Sequence, residues 1–346
     1  MNVEGRWRRT IEPGDNGTVI VLDQARLPYS IEWLTLSTVG EVARAIRDMH
    51  IRGAPLIGAT AAYGVAIALR TGVALDQACA ELAETRPTAI NLRWALGEMR
   101  RALAAGVDPY VAAAKIADDD VGACEAIGNA GHAVIAALKK DRDDRINVLT
   151  HCNAGWLATV DWGTALSPVY KAHEAGIAVH VWVEETRPRN QGMLTAWELS
   201  QHGVPHTVIA DNAGGYLMQH GEVDLCIVGS DRTTRTGDVC NKIGTYLKAL
   251  AAHDNHVPFY AAVPSSSIDW TVGAPEEIPI EERTGDEVRF VHGRLDNGRL
   301  GRVEVVPQGS SVANPAFDVT PRRFMTGLIT ERGIATPAAL AELFGK

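Results

Sequence analysis

Cys152 stands in the segment HCNAG, between the β-branched and apolar run INVLT and the small residues Ala154 and Gly155. A thiol at such a strand-to-loop junction, beside a loop that opens towards a helix N-terminus, is placed to have a lowered pKa and to exchange protons near neutrality. On this segment alone a structural cysteine is an equal explanation. Asp231 ends the apolar run LCIVGS, and the stretch DRTTRTGDVCNKIGTY then leads through a glycine-bearing loop to Asn241 and Lys242, read as the start of a helix. Free amides at a helix N-terminus together with a lysine make a site for an anion, phosphate above all. Taken singly, Asp231 is a turn residue, Asn241 an N-cap and Lys242 a solvated side chain, and Cys240 is a bystander. The apolar strand before Asp231 predicts desolvation and a raised carboxyl pKa, with Arg232 or Lys242 pulling the other way.

Further cations lie earlier in the chain. Arg52 in IRGAPLIGA and Arg86 in TRPTAINL are candidates for bidentate phosphate recognition, and Gly53, Ala54 and Pro55 supply a small-residue loop with room for a ligand. Surface salt bridging is the plain alternative for both arginines. ETRPRNQG adds Arg187, Arg189 and the neutral hydrogen-bonder Gln191, of which one or two are expected to reach a ligand. The five cysteines are odd in number and contain no C-x-x-C pair, so neither a disulfide framework nor a structural zinc site is expected; Cys79 and Cys226 read as core fillers. His151, His173 and His180 lack any tight ligand spacing, and no metal is expected.

The elements that must position these groups change character along the chain. Up to residue 140 the periodicity is mostly helical: Thr38 and Glu41 have capping-box spacing, Asn91 is a plausible N-cap ahead of an amphipathic run, and GATAAYGVAIALR is apolar nearly all round, as a helix buried on most sides would be. A short extended stretch, TVIVLDQ, precedes them. The charge run KKDRDDR then marks a boundary between a mainly helical domain, 1–140, and a second domain, 141–346. Beyond it, INVLTH, IAVHVWVEE, HTVIAD, LCIVGSD and PFYAAVP alternate with helical stretches, the pattern of an open parallel α/β sheet covered on both faces. Ligands in such sheets bind beyond the carboxyl ends of the strands. There this chain places His151, Cys152 and Asn153; Glu184 and Glu185; Asp211 and Asn212; Asp231 and Arg232; and Ser265 to Ser267. Asn153, Asp211 and Asn212 are expected only to cap helices. No G-x-G-x-x-G follows the first strand, which speaks against a dinucleotide.

Composition narrows the partners. The chain has 346 residues, 46% of them hydrophobic, with 33 Lys and Arg against 42 Asp and Glu, a formal charge of −9. That balance disfavours nonspecific attraction to nucleic acid or acidic membranes, so an anionic ligand must meet a local cationic pocket. With no apolar run near the roughly 20 residues of a membrane span and no apolar signal core after MNVEGRWRRT, a cytoplasmic protein is expected.

IRGAPLIGATAAYG, RPTAINLRWAL, THCNAG, ETRPRNQG, TAWEL, GSDRTTRTGDVCNKIGTY and NPAFDVTP, in this order between Tyr29 and Thr330, resemble the methylthioribose-1-phosphate isomerases of methionine salvage. The wider family includes ribose-1,5-bisphosphate isomerases and regulatory subunits of a translation initiation exchange factor. The resemblance implies a helical N-terminal domain joined to a Rossmann-like C-terminal domain, a homodimer, and no metal or organic cofactor. Position by position it implies a catalytic cysteine at Cys152, a catalytic aspartate acting as proton donor at Asp231, and substrate-binding residues at Arg52, Gly53, Ala54, Arg86, Gln191, Asn241 and Lys242. Two departures stand out: GSDR replaces the usual G-A-D-R, and the stretch from Gln191 to TAWEL is one residue shorter, which bears on where Gln191 points.

The expected activity is therefore conversion of 5-methylthioribose 1-phosphate to 5-methylthioribulose 1-phosphate, by an enolate-like intermediate or by a hydride shift. The rivals are an isomerase of ribose 1,5-bisphosphate or 5-deoxyribose 1-phosphate, and a noncatalytic sugar-phosphate-sensing regulator.

Overall fold

The computed structural model describes residues 1–139 and 145–346, so the boundary expected between 140 and 141 lies outside the described residues. The chain opens with a ribbon of β1 (Asn2–Val3) and β2 (Arg6–Trp7), followed by an antiparallel sheet of β3 (Ile11–Pro13), β4 (Val19–Leu22) and β5 (Trp33–Leu36). Helix α1 (Val39–Arg47) begins with the capping box its spacing predicts: Thr38 Oγ1 accepts from the Glu41 amide and the Glu41 carboxylate accepts from the Thr38 amide. Helix α2 (Ala54–Arg70) is buried continuously from Leu56 to Ala68, because α1, α3 (Leu75–Ala83), α4 (Ile90–Ala104) and α5 (Pro109–Lys139) pack around it. Asn91 is not the N-cap of α4, a position taken by Ala89. Asn91 lies two residues further on, within the first turn, where its side chain donates to Ser266 Oγ at 3.0 Å and accepts from Ser267 Oγ at 3.2 Å. It joins the helices to the sheet instead.

Helix α5 runs for 31 residues and serves two cores. Ile116 and Ala117 pack with α2 and α4, whereas Ile127 and Ile135 pack with the large sheet. By length and composition alone it is long and apolar enough to cross a bilayer, and Asp118, Asp119 and Asp120 stand in its N-terminal half.

The large sheet has seven strands: β6 (Ile146–Thr150), β7 (Val179–Glu184), β8 (His206–Ile209), β9 (Leu225–Val228), β12 (Phe259–Ala262), β17 (Gly327–Thr330) and β18 (Gly333–Ala335), in the order β18-β17-β12-β9-β6-β7-β8. The fold is mixed α/β. The five strands expected from the sequence are present and mutually parallel, and β17 extends them in parallel. The sheet is nonetheless mixed, because β18 returns antiparallel on β17 through a short turn. Helices α6 (Ser167–Glu174), α7 (Gly192–His202), α8 (Ala213–Gln219) and α9 (Thr245–Asp254) connect its strands.

A four-stranded sheet of β10 (Arg232–Thr234), β11 (Val239–Lys242), β13 (Ile268–Asp269) and β16 (Phe317–Thr320) lies beyond the strand ends, and β14 (Phe290–Arg294) pairs with β15 (Leu300–Glu304) in a hairpin. This overturns one expectation. Asn241 and Lys242 belong to a strand, paired with Asp318 and Phe317, and α9 starts later, after Gly244. The α9 amides are also already engaged, since Gly244 N and Tyr246 N both donate to the Asp318 carboxylate. The phosphate site read from a helix N-terminus therefore does not exist there. Cys79 and Cys226 are buried core residues, as expected.

Candidate active site

The order of the parallel strands decides where chemistry can occur. Strand β6 pairs with β7 on one side and β9 on the other, so the chain winds outward in opposite directions from this pair. The connections that leave β6 and β9 diverge and open a crevice between them. Cys152 follows β6 and Asp231 follows β9, and both line that crevice. So do Arg52, Gly53, Ala54, Arg86, Gln191, Asn241 and Lys242, which means the structure brings all nine residues singled out from the sequence to one place.

Cys152 has φ of 69°, a left-handed conformation that is costly for a residue with a Cβ. Its peptide is held there from both sides: its amide donates to Thr186 Oγ1 at 2.8 Å and its carbonyl accepts from Thr195 Oγ1 at 2.8 Å. Gly53, with φ of 90°, passes so close to the loop after β6 that a Cβ would fall 2.3 Å from Ala158 Cα. That contact seats the Arg52 loop against the sheet. Arg52 Nη1 then donates to Asn153 Oδ1 at 2.7 Å and Nη2 to Asn153 O at 3.2 Å. Asn153 is thus a clamp on Arg52, and the cap expected of it is not made. Asp211 likewise receives the amides of Thr186 and Arg187, bracing the loop after β7, while Asn212 does occupy the N-cap position of α8 without a side-chain cap bond.

Lys242 enters from β11, with Nζ donating to the Ala316 carbonyl at 2.9 Å and standing 4.2 Å from the centre of the Phe317 ring. Gln191 is buried at the start of α7 with Oε1 unpartnered, so the shorter stretch after it has not carried it out of the crevice. Asn241 donates to Thr245 Oγ1 at 3.1 Å. Arg86 pairs with Glu281 at 3.1 Å.

Burial dominates the electrostatics. It pushes the Asp231 carboxyl above its ordinary range, against Lys242, Arg86 and Arg52, which favour the carboxylate. Arg232 is not among the opposing cations, because it faces Asp269 and the Thr88 carbonyl. The Cys152 thiol is also raised by burial, and the nearby Arg52 and Lys242 only partly offset this. The lowered thiol pKa expected from the sequence is therefore wrong for the unliganded site: a strand end this deeply covered loses more hydration than two cations restore. The same burial pushes Cys240 up to about 12, in keeping with its reading as a bystander.

A family model described as the Initiation factor 2 subunit family matches residues 50–337, a span that contains all nine crevice residues. The chain belongs to that family. A methylthioribose-1-phosphate isomerase of Methylorubrum extorquens is 58% identical over 99% of this chain and 98% of its own length. One from Rhizobium meliloti is 60% identical over 98% and 97%. Among solved structures, a 5-methylthioribose 1-phosphate isomerase from Pyrococcus horikoshii superposes with a TM-score of 0.84 at 40% identity, covering 98% of this chain and 96% of that one. The translation initiation factor eIF-2B subunit delta from A. fulgidus superposes with a TM-score of 0.82 at 37% identity, covering 98% and 100%.

Several residues of this family member's crevice escaped sequence reasoning. Met49 and Arg283 line it, from segments that carry no motif. Behind the strand ends, His151 Nδ1 lies 2.6 Å from Glu184, its Nε2 lies 2.8 Å from the Ile243 carbonyl, and Lys248 Nζ lies 3.3 Å from the same Glu184. His151, Glu184 and Asp211 make a ligand cluster that residue spacing did not reveal, their candidate ligand atoms within 4.8 Å of one another. Both His151 nitrogens are already bonded and the Lys248 ammonium supplies the positive charge, so the group is a filled buried network.

Proposed function

We propose that this family member converts 5-methylthioribose 1-phosphate to 5-methylthioribulose 1-phosphate in methionine salvage, an aldose to ketose isomerisation, with Cys152 and Asp231 catalytic and no metal or organic cofactor. The observation that carries the reading is the distribution of charge in the crevice. Arg86, Arg189, Arg232 and Arg283 are each committed to a carboxylate, Glu281, Glu287 or Asp269. Among the described residues, Arg52 and Lys242 form no such pair, and their hydrogen bonds go to Asn153 and to a backbone carbonyl. Two uncompensated cations beside Cys152 and Asp231 suit one phosphate monoester. The other crevice arginines are already paired with carboxylates, so a second phosphate, as in ribose 1,5-bisphosphate, is less well matched.

Phosphate on the anomeric oxygen prevents spontaneous ring opening, so the site must supply the acid. Asp231, raised in pKa by burial, delivers its proton to the ring oxygen as the bond from that oxygen to C1 breaks. Cys152, as the thiolate that Arg52 and Lys242 favour against burial, takes the proton leaving C2 and returns one to C1; the C2 hydroxyl gives up its proton to Asp231 as the ketone forms. Arg52, Gly53, Ala54, Arg86, Gln191, Asn241 and Lys242 hold the substrate, with the unpartnered Gln191 Oε1 accepting from a sugar hydroxyl.

The chain is read as a mainly helical N-terminal domain, 1–140, and a Rossmann-like catalytic domain, 141–346, a division favoured by the separate cores that α5 joins. It acts as a cytoplasmic homodimer on a small sugar phosphate, with neither nucleic acid nor membrane as partner. The net charge of −9 favours the last point, and exposed Val208, Tyr216 and Leu247 favour self-association. Light scattering on the purified protein tests the dimer.

The deciding experiment is an NMR assay against 5-methylthioribose 1-phosphate, ribose 1,5-bisphosphate and 5-deoxyribose 1-phosphate in parallel, with and without EDTA. Turnover is expected to favour the first and to ignore EDTA. Faster conversion of the bisphosphate would overturn the substrate assignment, and absence of turnover on all three would favour a regulatory protein.

A further inference from the structure

Glu198, within the segment TAWEL of α7, has no part in the chemistry above, yet it is fully buried behind the crevice. Its carboxylate accepts from Asn153 Nδ2 at 2.5 Å and from the Leu157 amide at 3.2 Å. It forms no direct ion pair among the described residues, and a buried carboxylate without one costs stability that an apolar side chain would not. The backbone makes room for it: a Cβ on Gly155 would fall 2.0 Å from Glu198 Oε1.

The hydrogen bonds around Asn153 have one consistent polarity. Arg52 has only donors, so it needs Asn153 Oδ1. Asn153 Nδ2 must then find acceptors, and it finds Glu198 and, at 3.1 Å, Thr195 Oγ1. Thr195 has spent its own proton on the Cys152 carbonyl. An amide side chain turned the other way would set its NH2 group against a guanidinium. An ionised carboxylate, which only accepts, prevents that turn, and so Glu198 orders both Arg52 and the Cys152 peptide without touching the crevice.

We propose that Glu198 is a positioning residue for the isomerisation: through Asn153 it fixes the Arg52 guanidinium and the strained Cys152 peptide in the orientation that binds and turns over the sugar phosphate. This rests on Arg52 and Cys152 having the roles assigned above. The charged and titratable groups that face Glu198 are Arg52 from the loop before α2, the Met1 ammonium just ahead of β1 and the Tyr170 hydroxyl from α6. Burial outweighs Arg52 and the hydrogen bonds, and raises the Glu198 carboxyl to about 7. Below that pH the carboxyl carries a proton, loses an acceptor and releases Asn153.

The test compares full-length wild type, Glu198→Gln and, as a control, Asp120→Asn, whose carboxyl is likewise raised to about 7 but lies outside the crevice. Wild-type conversion of 5-methylthioribose 1-phosphate is measured first; its absence sinks the functional reading rather than this one. With turnover in hand, kcat/KM of wild type and Asp120→Asn is expected to fall on acidification through pH 7. Glu198→Gln should lack that limb and show KM raised roughly tenfold at pH 8, about one charge-assisted hydrogen bond. Wild-type KM with an unchanged acid limb in Glu198→Gln would overturn the proposal. If that variant does not fold, Asn153→Asp keeps an oxygen for Arg52 but sets a second carboxylate against Glu198; the limb should then move to higher pH, and an unmoved limb would count against the proposal equally.

Discussion

Arg52 Nη1 lies 2.7 Å from Asn153 Oδ1, so the guanidinium contributed by the loop before α2 rests on the side chain next to Cys152. Neither half of the chain makes the crevice alone: one supplies Arg52, the other Lys242, the thiol and the clamp that orients Arg52.

Cys152→Ser and Asp231→Asn are each expected to lower kcat by about 10²–10⁴-fold, the usual contribution of a positioned acid or base, while the thermal unfolding curve stays close to wild type. Near wild-type turnover in either variant would remove that residue from the mechanism. In deuterated solvent, a relay through Cys152 is expected to place deuterium at C1 of the product, and its appearance there would exclude a hydride shift.

Lys242→Ala removes one of the two uncompensated cations and should raise KM by roughly 10- to 100-fold, as expected for a charge-assisted phosphate contact. Inorganic phosphate should inhibit wild type competitively and the variant weakly. An unchanged KM with lost turnover would move Lys242 from binding to chemistry.

The raised Asp231 pKa has a definite sign in the rate profile. If the proton-donating form is required, kcat falls as pH rises through the raised pKa. Asp231→Asn should lose this alkaline limb along with most activity, and persistence of the limb would assign it to another group.

Gly53→Ala would force a Cβ to within 2.3 Å of Ala158 Cα at a φ of 90°. The Arg52 loop must then lift from the sheet. A lower melting temperature and a raised KM are expected together, and a variant with both unchanged would contradict the close approach.

Asp120, raised to about 7, makes a contribution to stability that runs opposite to that of most carboxylates. Its folded pKa lies above the unfolded value, so the native state binds the extra proton; this stabilisation is complete below about pH 4 and lost as pH rises through 7. Asp120→Asn should remain comparatively more stable than wild type as pH rises from 5 to 8, measured by urea unfolding. A difference that does not change with pH would exclude the titration.

Much of this was readable in residue order. Short β-branched and continuous apolar runs mark the five parallel strands, the Thr38 and Glu41 spacing marks a capping box, and polar residues directly after apolar strands mark the candidate site, because these depend on neighbours a few positions apart. What residue order could not convey depends on groups far apart in the chain. The Asn241 and Lys242 segment is a strand because residues 317–320 pair with it, and no local propensity records a partner that far along the chain. The Cys152 pKa rises because segments from several elements exclude water, which outweighs the local cues for a reactive thiol. Asn153 clamps Arg52, and Glu198 lies behind Asn153, only once α7 and the loop before α2 have packed on the same strand end. Periodicity is a property of adjacent residues, whereas desolvation and hydrogen-bond polarity belong to whatever the completed fold brings within a few ångströms.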